Sequence, residues 1–155
     1  MRDPDEAAEF ALEPALDFLQ HLWQLNHALE RTSLRMERTL GVTAQQRLFV
    51  RCIGKYPGLT ASQLAGVLHL DRGTVSVGLR RLAVKGLVTR RRDPKDNRRV
   101  SLGLTTKGHA LDHPSPATVE FAVDQVMARV GPKKLEITKE VLRSLADMLT
   151  SDLAT

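Results

Sequence analysis

Between Arg90 and Thr105 the chain reads RRRDPKDNRRVSLGLT, five arginines and a lysine around two aspartates, then apolar residues in alternation. A guanidinium is permanently charged and presents a planar fork of donors that matches phosphate oxygens. Crowding such groups onto one short turn is chemistry for gripping a polyanion, not for breaking a bond. No other grouping points to catalysis. No serine has a matched histidine and aspartate, no glycine-rich loop follows a strand, and no carboxylates are spaced for a metal. We expect no enzyme, no cofactor and no bound metal.

The charge is unevenly spread. The 155-residue chain has a formal net charge of +5, yet residues 71–99 hold ten Lys/Arg against three Asp/Glu, a surplus of +7. Residues 1–40 carry four basic and eight acidic side chains. Such asymmetry is an electrostatic footprint for nucleic acid, although a solvated basic face with no partner has the same charge. Apolar (42%) and charged (26%) fractions are those of a globular protein of one domain with helical appendages. A single cysteine, Cys52, excludes an intrachain disulfide and suits a reducing compartment. The acidic N-terminus MRDPDEAAEF does not read as a signal peptide, and no run approaches the ~18 apolar residues of a membrane helix. The expectation is a cytoplasmic protein with no membrane partner.

Holding the basic turn in place requires flanking elements. Leu12, Leu16, Leu19, Trp23, Leu25 and Leu29 recur mostly at three- and four-residue spacing. They predict one long amphipathic helix from Phe10 to Leu40, begun by Pro14 and ended by Gly41. TAQQ from Thr43 and TASQ from Thr60 are capping-box patterns, each opening a short helix. The first should turn Leu48, Phe49, Cys52 and Ile53 inward, the second Leu64, Ala65 and Leu68. Asp71 is a good N-cap for a third helix, with Val75, Leu79 and Leu82 as its buried stripe and Gly86 at its left-handed end.

The outer face of that helix is left to Arg72, Thr74, Ser76, Val77, Arg80 and Arg81. Two short helices, the second presenting arginines and hydroxyls, form a helix-turn-helix pattern, which a three-helix bundle with a basic helix would share. LVTRRR, DPKDN and RRVSLGL then predict a hairpin with Pro94 in its turn. This is a wing whose cationic tip can reach the minor groove of a duplex. Thr105 caps a short helix that Pro114 and Pro116 interrupt. A helix over 117–130 should align Val119, Ala122, Val123, Val126 and Val130. After Gly131 and Pro132, a last helix carries Leu135, Val141, Leu142, Leu145, Met148 and Leu149.

Taken in this order, the residues resemble the MarR family of bacterial transcription regulators. DPKDNRRVSLGLTTKG is similar to the family's wing signature, and LTASQLAGVLHLDRGTVSVGLRRLAVKGLVTR to its helix-turn-helix; the likeness runs from about Leu40 to Gly108. It implies a mostly α (α+β) fold, a winged helix-turn-helix whose N- and C-terminal helices form a dimerisation domain. The implied boundaries are 1–40, 41–104 and 105–155. The resemblance also implies a homodimer on double-stranded DNA, regulating transcription, most often by repression from a pseudo-palindromic operator. Release would follow binding of a small aromatic or anionic effector, or oxidation of a cysteine. The alternative is a winged-helix architectural or interaction module without a defined operator.

By position, the resemblance makes Arg98 the wing-tip arginine of the minor groove and Asp96 the partner that orients its guanidinium and holds the turn. Arg90, Arg91, Arg92 and Arg99 are expected on phosphates, and Arg72, Thr74, Ser76 and Arg80 in the major groove. Val77 departs from the pattern, because many relatives carry a polar or basic residue there. His21, Trp23 and His27 are the candidate lining of an effector pocket, although a Trp in a leucine stripe also reads as plain core. Cys52 shares a face with Leu48 and Phe49 and reads as a small buried hydrophobe rather than a redox sensor. His109 and His113 have the four-residue spacing of a helical metal pair, but Pro114 biases His113 out of the helix, so ordinary polar positions are expected.

Overall fold

The computed structural model describes residues 11–151. The reading of MRDPDEAAEF and the helix start at Phe10 fall outside them. The order is α1 (Pro14–Leu40), α2 (Ala44–Lys55), α3 (Ala61–Leu68), α4 (Arg72–Val84), β1 (Val88–Arg92), β2 (Val100–Leu104), α5 (Thr106–Leu111), α6 (Val119–Met127) and α7 (Pro132–Ser151). The backbone divides after His113 into two compact units.

Local signals place most helix ends. Pro14 opens α1, where its missing N–H costs nothing, and Gly41 closes it at φ 76°, its N–H bonded to Glu37 O. Both capping boxes form: Thr43 with Gln46 starts α2, and Thr60 with Gln63 starts α3. α4 ends in a paired bond pattern, Leu87 N–H to Leu82 O and Gly86 N–H to Ala83 O, with Gly86 at φ 72°. That is a Schellman ending, and it reverses the chain into the wing.

The core of the first unit gathers Phe49, Val50 and Ile53 of α2, Leu64 and Ala65 of α3, Val75, Leu79 and Leu82 of α4, and Leu87, Val88 and Leu102 of the wing. Isolated helices of 8 and 13 residues are unstable in water, so this shared apolar centre is what keeps α3 and α4 helical. Phe49 is fully buried, and its ring lies over position 78 of α4. A Cβ at Gly78 would stand 2.5 Å from Phe49 Cε2. The glycine that weakens the helix is thus the notch that admits the ring.

The hairpin pairs antiparallel, with Val88 opposite Leu104, Arg90 opposite Leu102 and Arg92 opposite Val100. β2 is anchored on its other edge too, since Leu102 N–H donates to Leu59 O at 2.7 Å beside a bridge from Thr60 to Ser101. α5 then locks the hairpin base. The Thr105 hydroxyl donates to Gly86 O (2.6 Å) and accepts Gly108 N–H, and a Cβ at Gly108 would collide with Leu87 O.

Two expectations need correction. Leu48 does not face inward; it is 44% exposed, and the buried face runs Gln46, Phe49, Val50 and Ile53, the phase set by the capping box. Its neighbour Arg47 is fully buried, and its guanidinium donates to the carbonyls of Leu111, the last residue of α5, and of His113 beyond it. The helix expected over 117–130 begins only at Val119 and ends at Met127, so Val130 of the expected stripe lies beyond it. Ala117 is left-handed (φ 60°), and Thr118 is the N-cap, donating to Ser115 O and accepting Phe121 N–H.

Replacing Gly78 with alanine would gain about 1 kcal/mol of helix propensity. Because the new methyl meets the Phe49 ring, Gly78→Ala should instead lower stability by about 1–3 kcal/mol in urea unfolding. A midpoint equal to or above that of the parent protein would show that the ring yields without cost.

Candidate nucleic-acid interface

The basic face is assembled from α4, the wing and the start of α3. At the head of α4, Asp71 accepts Thr74 N–H at 2.8 Å and the Thr74 hydroxyl at 2.5 Å. Those two bonds, the hydroxyl first, hold the Asp71 carboxyl below the usual carboxylate range. Thr74, expected in the groove, therefore commits its proton to the helix cap, and only its lone pairs remain for a ligand. Arg72, Ser76, Val77 and Arg80 are exposed on this helix. Val77 and Val84 add exposed apolar surface to the same helix.

Two aspartates build the wing turn. Asp93 Oδ1 accepts Lys95 N–H at 2.8 Å, Asp96 Oδ1 accepts Arg98 N–H at 3.0 Å, and Arg99 O accepts Asp93 N–H at 2.9 Å. Asp96 holds the turn as expected, but through the backbone of Arg98; that bond, not a contact to the guanidinium, is what the carboxylate supplies here. Pleating also divides the strand arginines. Arg90 and Arg92 share a face of the hairpin with Leu102 and Val100, whereas Arg91 projects with Ser101 from the opposite face. The three thus cannot meet one phosphate row from the same side.

Among the described residues, no ion pair neutralises Arg72, Arg80, Arg90, Arg91, Arg92, Arg98 or Arg99, and all seven are exposed. Arg98 and Arg99 border a cleft with Thr60 and Ser62 at the start of α3. A second cleft, of about 330 Å³, lies between α2 and α4 and is lined by Gln45, Thr74, Val77 and Arg81 among others. Ser62 and Gln45 were not singled out in the sequence, although each is the second residue of a helix that a capping box opens.

Other candidates are dispersed. His21, Trp23 and His27 all lie exposed on α1, Trp23 by 64%, and His21 Nδ1 sits 2.7 Å from Asp17 O. They do not converge on a cavity within this chain's described residues. Cys52 packs against the core, and burial pushes its thiol pKa up, away from the thiolate an oxidation sensor needs. α5 ends at Leu111, so His109 and His113 do not share a helical face.

This geometry can be set beside known proteins. The sequence profile of the MarR family matches residues 42–100, which span the helix-turn-helix and most of the wing. The HTH-type transcriptional regulator SarZ of Staphylococcus saprophyticus is 32% identical over 70% of this chain and 73% of its own. The chain belongs to the MarR family. The organic hydroperoxide resistance transcriptional regulator of Bacillus subtilis is 35% identical over 46% of the chain, and the match spans about half (49%) of that protein's length. Among solved structures, S. aureus MepR, crystallised as a DNA complex, superposes with a TM-score of 0.66 over 91% of this chain and 99% of its own, at 24% identity. At that identity the likeness shows the MarR winged-helix fold alone.

The lowered carboxyl of Asp71 fixes the sign of a pH effect. Its contribution to stability is complete above the unfolded value of about 4 and is lost as pH falls through the lower folded value. Asp71→Asn should therefore melt below the parent protein at neutral pH, with the gap closing in acid. Parallel melting curves from pH 7 to pH 2 would exclude the charge of Asp71 from the cap.

Proposed function

We propose that this MarR-family protein is a homodimeric, sequence-specific DNA-binding regulator of transcription, acting as a repressor that a small aromatic or anionic effector releases. The observation that carries the reading is the set of seven exposed, unneutralised guanidiniums on α4 and the adjoining wing. Supporting it, the curated relatives at 32% and 35% identity are named as transcriptional regulators.

In this reading Arg72, Ser76 and Arg80 meet base edges, with Thr74 accepting from a neighbour. Arg98 enters the minor groove from a turn that Asp96 stiffens, and Arg90, Arg91, Arg92 and Arg99 bind phosphates. Residues 41–104 serve as the DNA module, and 1–40 with 105–155 pair two copies. The apolar residues left exposed on α1, α6 and α7 support that pairing, since Leu16, Leu25, Val126 and Met148 are each at least half exposed in the single chain. A twofold pair would read half-sites about 10 bp apart. His21, Trp23 and His27 are the proposed effector-facing residues of α1, in a cytoplasmic protein without catalytic activity. No described helix is long and apolar enough to cross a membrane. The architectural alternative is less favoured, because the relatives are regulators rather than packaging proteins.

Fluorescence anisotropy on the gene's own upstream DNA tests the reading against a shuffled duplex of equal length. A regulator should prefer the upstream fragment by about 10³-fold or more; a ratio near one would make the protein architectural. Arg98→Ala should weaken binding while dimerisation and melting stay unchanged. Arg99→Ala should lower the slope of log affinity against log salt by about one. Unchanged affinity in Arg98→Ala at moderate salt would remove the wing from the interface.

A further inference from the structure

Most cations of the basic segment point outward; Lys85 does not. It is the C-cap residue of α4, its side chain is 31% exposed, and its ammonium is turned toward the rest of the fold. Nζ donates to Gly41 O at 2.8 Å and to Gln46 Oε1 at 2.7 Å, with Glu37 Oε1 at 3.9 Å. Gly41 is the left-handed end of α1. Gln46 is the capping-box residue of α2, and the same Oε1 also accepts Thr43 N–H. One ammonium thereby joins the last turn of α1, the first turn of α2 and the last turn of α4.

The backbone at this point is held as well. Lys107 Nζ donates to Lys85 O at 3.2 Å, and the Thr105 hydroxyl donates to Gly86 O at 2.6 Å. The C-terminal end of α4 is therefore a pivot tied by polar bonds to α1, α2 and the start of α5, whereas its N-terminal half is held by the packing of Val75, Gly78 and Leu79. A 13-residue helix is about 20 Å long, so a tilt of roughly 10° at the pivot carries its first turn about 3 Å. That displacement exceeds what any hydrogen bond to a base edge tolerates.

We infer that Lys85 is a positioning residue for DNA reading: it sets the pitch of α4 against α1 and makes no contact with the duplex itself. The inference rests on the regulator reading above. It differs from a phosphate-binding lysine in a measurable way, because a phosphate contact releases a counterion and steepens the salt dependence, whereas an internal clamp does not.

The test uses the full-length protein and a duplex enriched from a random-sequence pool by the parent protein. Lys85→Met keeps the apolar stem and loses the ammonium. It should bind the enriched duplex on the order of tenfold more weakly, with the salt slope unchanged. It should also discriminate less against duplexes whose half-sites are moved by one or two base pairs. Lys85→Arg, which keeps charge and donors, should recover most of the affinity. Should Lys85→Met fail to fold, Lys85→Gln, one bond shorter, is measured in its place with the same expectation. A salt slope reduced by about one would make Lys85 a phosphate ligand and overturn the inference. So would parental affinity and parental spacing preference in the variant. A pool from which the parent protein enriches nothing would overturn the regulator reading itself.

Discussion

The whole basic face depends on the contact between the Phe49 ring and the bare backbone of α4 at Gly78. A side chain there would hold α4 away from α2 and open the centre that Val75, Leu79 and Leu82 close with Leu64 and Leu102. The helix carrying Arg72 and Arg80 is polar along its outer side and short, so little of its stability is its own. Close packing supplies the rest. The same ring that makes the fold compact also sets how far the arginines project.

Polar bonds do the complementary work. The three acidic residues between 71 and 99 are each spent on a backbone N–H: Asp71 on Thr74, Asp93 on Lys95, Asp96 on Arg98. Each bond shapes a helix start or a turn. The positive potential of the segment follows from ten Lys/Arg against these three acids. Such a surface attracts a polyanion at long range and loses that attraction in salt.

Away from this face, the long helices look unfinished. Along α1 only Met36 is buried among the described residues, and neither α6 nor α7 buries any. Apolar stripes left in water carry a cost that a second chain would remove, which is why pairing belongs to the proposed function. The two described units meet that requirement separately, each with its own exposed stripe.

The sequence by itself determined the helices up to the start of α5 with their main caps, the hairpin and the charge on its tip. These are signals within one or two turns: Pro14, the Thr43 and Thr60 boxes, Asp71, Gly86 and the alternation from Val100 to Leu104 all act on neighbours a few residues away. Tertiary structure decided what those signals cannot carry. Arg47 is buried against carbonyls more than sixty residues later in the chain, a partner that nothing in its own neighbourhood announces. Leu48 looked like core and faces solvent, because a one-residue phase shift in a short helix is invisible to periodicity. The notch at Gly78 likewise arises only when distant segments are brought together, since the ring that fills it belongs to Phe49 of α2. Local bonding selects the elements; the choice of which side chain each element turns inward is made by the neighbours it packs against.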